Sequence, residues 1–346
     1  MEPKVKALIL VIFQLIFLIS CYEAKNEVPL QRQPIFSLLL NVTLYPINYN
    51  TFSNLINLSS KNLPGTIVYV KKIGSTYFVL IEKINNVNLL ELYVSTNGID
   101  FENTNQIIDS TNFSTNGKRF LFSYNNEIIY MLLYNLFNNN SYKYYSYVNG
   151  ILSLNNFTPT QGVGQPRIFE CIYTYNSELR AVISINDLAT STYTGNTFSI
   201  TNSFQTYTNL SSSPGYTTPR TSASCSIVDS TIYLYGGYRT NCSTGSICNY
   251  TDLYSSQDGV SFNKINSDFQ SNLSGNDRII KLGDNSLLFI PSFFSGYQSK
   301  DSGSSWSLVS FSAGSSVAVP NLIGVASSGN TVFIYSPTKV YYGVVP

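Results

Sequence analysis

Arg167, Arg220 and Arg278 are the residues whose type and placement could do chemistry in this sequence. Each stands at or near the start of an apolar, strand-like run, with Glu170 and Asp277 close by in sequence. Arginines gathered at one place would hold an anion, because the guanidinium presents a planar fork of donors to a carboxylate or phosphate. The bland alternative is structural, with the same arginines paired to acids. Composition excludes other chemistries. The chain contains no histidine, which removes Ser-His-Asp and Cys-His nucleophiles and histidine-based metal sites. Charged residues make up 11% of the chain and balance to +1, so a basic groove for nucleic acid is not expected. No cofactor or metal motif is found, and no catalytic residue stands out.

The first residues carry an address. Lys4 and Lys6 form a short basic region, and Ala7 to Ile19 is an apolar run broken only by Gln14. That run is short for a membrane span and has the form of a secretory signal. It ends at Leu18-Ile19-Ser20-Cys21, which resembles the lipobox of bacterial lipoproteins. The resemblance covers only these first residues. It implies cleavage of residues 1–20 as a signal peptide, acylation of Cys21, and a membrane partner reached through the lipid. Residues 21–34 then read as a polar tether, and residues 35–346 as a single domain. The implied location is the bacterial cell envelope, at the outer membrane or cell surface.

Cysteine usage agrees. Lipidating Cys21 would remove one of five cysteines and leave Cys171, Cys225, Cys242 and Cys248, enough for two disulfides in an oxidising compartment. Cys242 and Cys248 flank a short loop and are expected to close it. A metal site at that pair is discounted, because no histidine exists to complete it.

The elements that would position these residues repeat along the chain. An apolar strand, a polar turn and a second apolar strand recur, followed by a third strand, a tight hairpin and a fourth strand. The second strands begin at Tyr77, Ile128, Leu179, Ile232, Leu287 and Val332. Their spacing is roughly 45–55 residues, the length of one four-stranded propeller blade. The expected fold is therefore all-β: a six-bladed β-propeller of four-stranded antiparallel blades. The last unit lacks a fourth strand, and the extended segment from Phe36 to Leu58 lacks partners. Pairing the N- and C-terminal segments would close the ring.

Three hairpins sharpen this. Ser95 to Phe101, Ser256 to Phe262 and Ser299 to Trp306 each combine an Asn or Asp, a glycine and an aromatic residue: Asn97, Gly98 and Phe101; Asp258, Gly259 and Phe262; Asp301, Gly303 and Trp306. The polar side chain caps the turn, the glycine takes a positive φ, and the aromatic folds into the core. These hairpins resemble the Asp-boxes of sialidase-like propellers, though only the third has the full spacing. The fourth unit, from Pro219-Arg220 to Gly236-Gly237-Tyr238, resembles a kelch repeat. Both resemblances imply a propeller and a structural role for the hairpin residues. Sialidases bind an acidic sugar through clustered arginines and use a tyrosine nucleophile, which would place Arg167, Arg220 and Arg278 at one channel mouth. Arg167-Ile168-Phe169 does not reproduce that family's Arg-Ile-Pro signature. The favoured expectation is thus a non-catalytic binding module for a protein or glycan, with a sialidase-like glycoside hydrolase as the alternative.

Superposing the units yields one more expectation. Arg167 and Arg220 lie equally far before their second strands, whereas Cys171 and Cys225 are offset by one residue. Strand side chains alternate faces, so the two cysteines should point to opposite sides of their own blades. That arrangement suits a Cys171–Cys225 bridge between neighbouring blades.

Overall fold

The computed structural model describes residues 55–83, 85–111, 113, 118–125, 127–135, 142–155, 167–187, 192–200, 207–211, 223–242, 245–266, 269, 278–291, 295–312 and 321–346. Every regular element among them is a β-strand. They form six antiparallel blades around a ring, a six-bladed β-propeller. The first strand of each blade lies in order at Ile67–Ile73, Lys118–Asn125, Arg167–Tyr175, Ser224–Val228, Ile279–Lys281 and Gly324–Ser328. The second strands start within one residue of the six positions expected from the repeat.

Ring closure follows the expected logic with a different strand. The last blade supplies three strands, and Ser59–Asn62 adds the fourth, pairing antiparallel with Lys339–Val344. The closing strand therefore lies just beyond Leu58. It was invisible to hydropathy because all four of its side chains are exposed. Leu55–Asn57 joins blade 5 instead, as a fifth strand parallel to Ser307–Ser312. Residues 1–54, including Cys21 and the tether, lie outside the described residues.

The core is divided among the blade junctions. Six apolar clusters occur among the described residues, one between each pair of neighbouring blades. Side-chain alternation makes this possible: Ile232 and Leu234 pack toward blade 3, while Tyr233 and Tyr235 pack toward blade 5. Each second strand is sandwiched on both faces, which explains its apolar, β-branched and aromatic make-up.

Cys171 and Cys225 are disulfide-bonded across the junction of blades 3 and 4, with Cα atoms 5.6 Å apart. Both are buried in the cluster between those blades. Side-chain parity is preserved at the turn end of the strands, from which both cysteines are counted. Thr174 pairs with Leu179 and Ile227 with Ile232, so Cys171 lies three residues from its reference and Cys225 two. Farther back, a bulge at Glu170 inserts one extra residue into blade 3. That extra residue shifts Arg167 by one position relative to the turn end of its blade. Cys248 is also disulfide-bonded. The side chain of Cys242, its expected partner, lies outside the described residues.

All three hairpins join third to fourth strands and share one hydrogen-bond scheme. A serine hydroxyl accepts the glycine N–H: Ser95 from Gly98 at 2.9 Å, Ser256 from Gly259 at 2.8 Å and Ser299 from Gly303 at 2.8 Å. The Asn or Asp side chain accepts the next free amides: Asn97 from Ile99 and Asp100, Asp258 from Val260 and Ser261, and Asp301 from Ser305. The third hairpin is one residue longer, and Ser302 joins its glycine at positive φ. Trp306 closes this turn by donating from Nε1 to the Gly303 carbonyl at 2.8 Å.

Asp301 carries a measurable consequence. Hydrogen bonds from the Ser305 hydroxyl and N–H, and from the Ser299 hydroxyl, lower its carboxyl from the usual 3.8 to about 2. A depressed carboxyl contributes stability above its unfolded pKa, and that contribution disappears as pH falls through the folded value. The stability gap between wild type and Asp301→Asn should therefore be constant down to about pH 4 and close by about pH 2. Urea denaturation across that range checks this; a gap that stays constant to pH 2 would contradict it.

Candidate functional site

The antiparallel order of four strands fixes which turns share a face. Turns from first to second strands, and hairpins from third to fourth strands, emerge on one side of the propeller. The starts of the first strands, where the three arginines were expected to gather, lie on the opposite side.

On that second side, Arg278 is buried at the junction of blades 5 and 6. Its Nη2 donates to the Leu322 carbonyl at 3.0 Å, just ahead of blade 6. Its backbone N–H donates to the Tyr235 hydroxyl of blade 4 at 2.9 Å. Arg278 thus ties three consecutive blades together. Arg167 begins the first strand of blade 3, but its side chain, like all of Arg220 and Asp277, lies outside the described residues. Glu170 occupies the bulge and is buried.

A cavity of about 460 Å³ lies on the other side. It opens where the first strands of blades 1, 4, 5 and 6 end in their turns. Lys71 and Lys72 come from blade 1, Lys281 from blade 5, Asp229 from the turn of blade 4 and Ser327 from blade 6. Three lysines and one aspartate are thus among the described lining residues.

Backbone ladders hold these groups in place. Lys72 pairs with Tyr77, Lys281 with Leu287 and Ser327 with Val332, so all three occupy the same ladder position opposite the start of a second strand. Ser327 sits between the lysines. Lys72 Nζ donates to its carbonyl at 2.5 Å, and its hydroxyl donates to the Lys281 carbonyl at 2.5 Å. Lys281 Nζ pairs with Asp229 Oδ2 at 2.7 Å. Lys72 Nζ also stands 5.3 Å from the centre of the Tyr77 ring, within cation–π reach. Burial lowers the Lys72 ammonium below its usual value.

This arrangement can grip an anion electrostatically. It lacks the pair of carboxyl groups that most glycoside hydrolases place about the scissile bond, because Asp229 is the one carboxylate in the described lining. Burial also raises the nearby Tyr77 hydroxyl above its usual value, the opposite of what an activated nucleophile needs. Sequence reasoning missed Lys71, Lys72, Lys281 and Asp229. The signal was present: aligning the residues five or six positions before each second strand sets Lys72, Ile227, Lys281 and Ser327 in one column.

No protein-family profile matches the sequence, and a search of curated proteins returns no significant match. Solved structures do resemble it. A Dyadobacter fermentans protein of unknown function aligns with a TM-score of 0.52 at 11% identity, covering 83% of this chain and 99% of that one. YjhT aligns at 0.48 and 10% identity over 81% and 94% of the two chains. A fungal alcohol oxidase of the AA5 family, solved with copper, aligns at 0.48 and 8% identity over 83% and 76%. At such identities the likeness concerns the fold alone.

Proposed function

We propose that this chain is an exported, lipid-anchored propeller of the bacterial cell envelope that acts as a non-catalytic binding module for a protein or glycan. The observation that carries the binding reading is the channel-mouth cavity, which offers several lysines and, among the described lining residues, a single carboxylate already paired with Lys281. Such a lining holds a ligand without supplying an acid–base pair. Export is supported by the buried Cys171–Cys225 bridge, since disulfides form and persist in oxidising compartments. The signal-like N-terminus ending at Cys21 points the same way. In this reading the three serine-capped hairpins are Asp-boxes and blade 4, with Gly236 and Gly237 both at positive φ, is a kelch-type unit.

The anchor is tested by Cys21→Ser. Wild type should partition into the detergent phase and incorporate labelled lipid, whereas the variant should appear in the aqueous phase without label. Unchanged partition of the variant would overturn the anchor. Catalysis is tested separately, by incubating the full chain with sialylated glycan. Retention without release of free sugar supports a binding module, and sustained release would favour the sialidase-like alternative.

A further inference from the structure

We propose that the cavity between the turn ends of blades 1, 4, 5 and 6 is a site for a small anion bearing carboxylate or phosphate oxygens, held by Lys72 and Lys281 on either side of Ser327. This deepens the binding reading by naming a place and a ligand class.

Lys61 pairs with Asp100 and Lys143 with Asp109, so those lysines meet a carboxylate. Lys72 is half-buried, and the contacts that hold it are a backbone carbonyl and an aromatic face. A cation withdrawn from water without an opposing charge is costly. An anion at the mouth would offset that cost.

Lys72, Ser327 and Lys281 share one ladder position on neighbouring blades, and Ser327 bonds toward both lysines. Groups fixed at strand ends are held more firmly than groups on long loops, which is what a preorganised site requires. Each ammonium has three donors, and the contacts described for Lys72 and Lys281 use one apiece. A volume of about 460 Å³ suits a small anion, or one acidic group of a larger ligand.

Asp229 sets the sign of a decisive test. It lies at the cavity wall and offsets the charge of Lys281. Removing its charge should strengthen anion binding, whereas a purely structural role for the Lys281–Asp229 pair would give no gain.

The experiment is calorimetric titration of the purified full chain with citrate and, separately, with inorganic phosphate, at low and high salt. Wild type should bind at least one of them, more weakly at high salt. Citrate alone would mark a carboxylate ligand, and phosphate alone a phosphorylated one. Lys72→Gln and Lys281→Gln should each weaken binding by about tenfold, with melting temperature followed to confirm folding. Asp229→Asn should tighten it severalfold. No binding of either anion by wild type, or equal affinity in all three variants, would overturn the site. Neither result would touch the anchor and turnover assays, which decide the broader reading on their own.

Discussion

Gly259→Ala should be among the most damaging single substitutions in this protein, costing about 3 kcal/mol or more. The glycine sits at φ +68° in the hairpin of blade 4, and an added Cβ would stand 1.8 Å from the Tyr173 hydroxyl oxygen. Tyr173 belongs to blade 3, is 1% exposed and cannot swing into solvent. Its hydroxyl donates to the Gly259 carbonyl at 3.0 Å, and Thr197 Oγ1 of the same blade donates to that carbonyl at 2.8 Å. Arg180 of blade 3 adds a bond to the Asp258 carbonyl at 2.7 Å. The substitution therefore combines a left-handed backbone penalty, a clash with a buried ring and the loss of buried hydrogen bonds. Gly98 occupies the matching place in blade 1, where its carbonyl accepts from Tyr335 of blade 6 at 2.9 Å. There a Cβ would meet ring atoms at 3.1 and 3.2 Å, so Gly98→Ala should cost clearly less. Urea denaturation of the two variants tests the ranking. A Gly259→Ala protein within about 1 kcal/mol of wild type would refute the hairpin's role as a clasp between blades.

Removing the Cys171–Cys225 bridge is the second large effect. The cysteines are 54 residues apart, and constraining a loop of that length in the unfolded chain corresponds to about 4 kcal/mol in the chain-entropy account. Measured gains fall below that figure often enough that a loss of about 2–4 kcal/mol is expected for the double variant Cys171→Ala, Cys225→Ala. Against a total stability of roughly 5–15 kcal/mol, this is a major fraction. The side chains lie in the apolar cluster shared by blades 3 and 4, so the damage should centre on that junction. Hydrogen exchange should show the largest loss of protection in the first strands of those two blades. Urea midpoints that coincide for the bridged protein and the double variant would contradict the expectation, and peptide mapping without reductant checks the linkage itself.

Both effects concern blade junctions, and the junctions show where sequence reasoning succeeded and where it stopped. The repeat was legible because each second strand is buried on both faces, which forces a run such as Ile232-Tyr233-Leu234-Tyr235. Hairpin caps were legible because their bonds run between residues two to four apart. The disulfide was legible because a one-residue offset reverses the face of a strand side chain, and no bulge lies between either cysteine and its turn. Ser59–Asn62 escaped notice because a polar edge strand carries no hydropathic pattern.

The candidate site fared differently. Arg167, Arg220 and Arg278 drew attention through their positions before strands; among the described atoms, Arg278 Nη2 donates to the Leu322 carbonyl ahead of blade 6. The clasp of Tyr173 on Gly259 joins residues 86 apart, and the bond from Lys72 to Ser327 joins residues 255 apart. By itself, then, the sequence determined the blade number, the starts of the second strands, the turn caps and one bridge, all of which follow from local alternation and short-range hydrogen bonding. Only the closed ring decided which carbonyl each buried hydroxyl finds and which lysines share a mouth, because those neighbours are set by how blades stack around the axis and not by their separation along the chain.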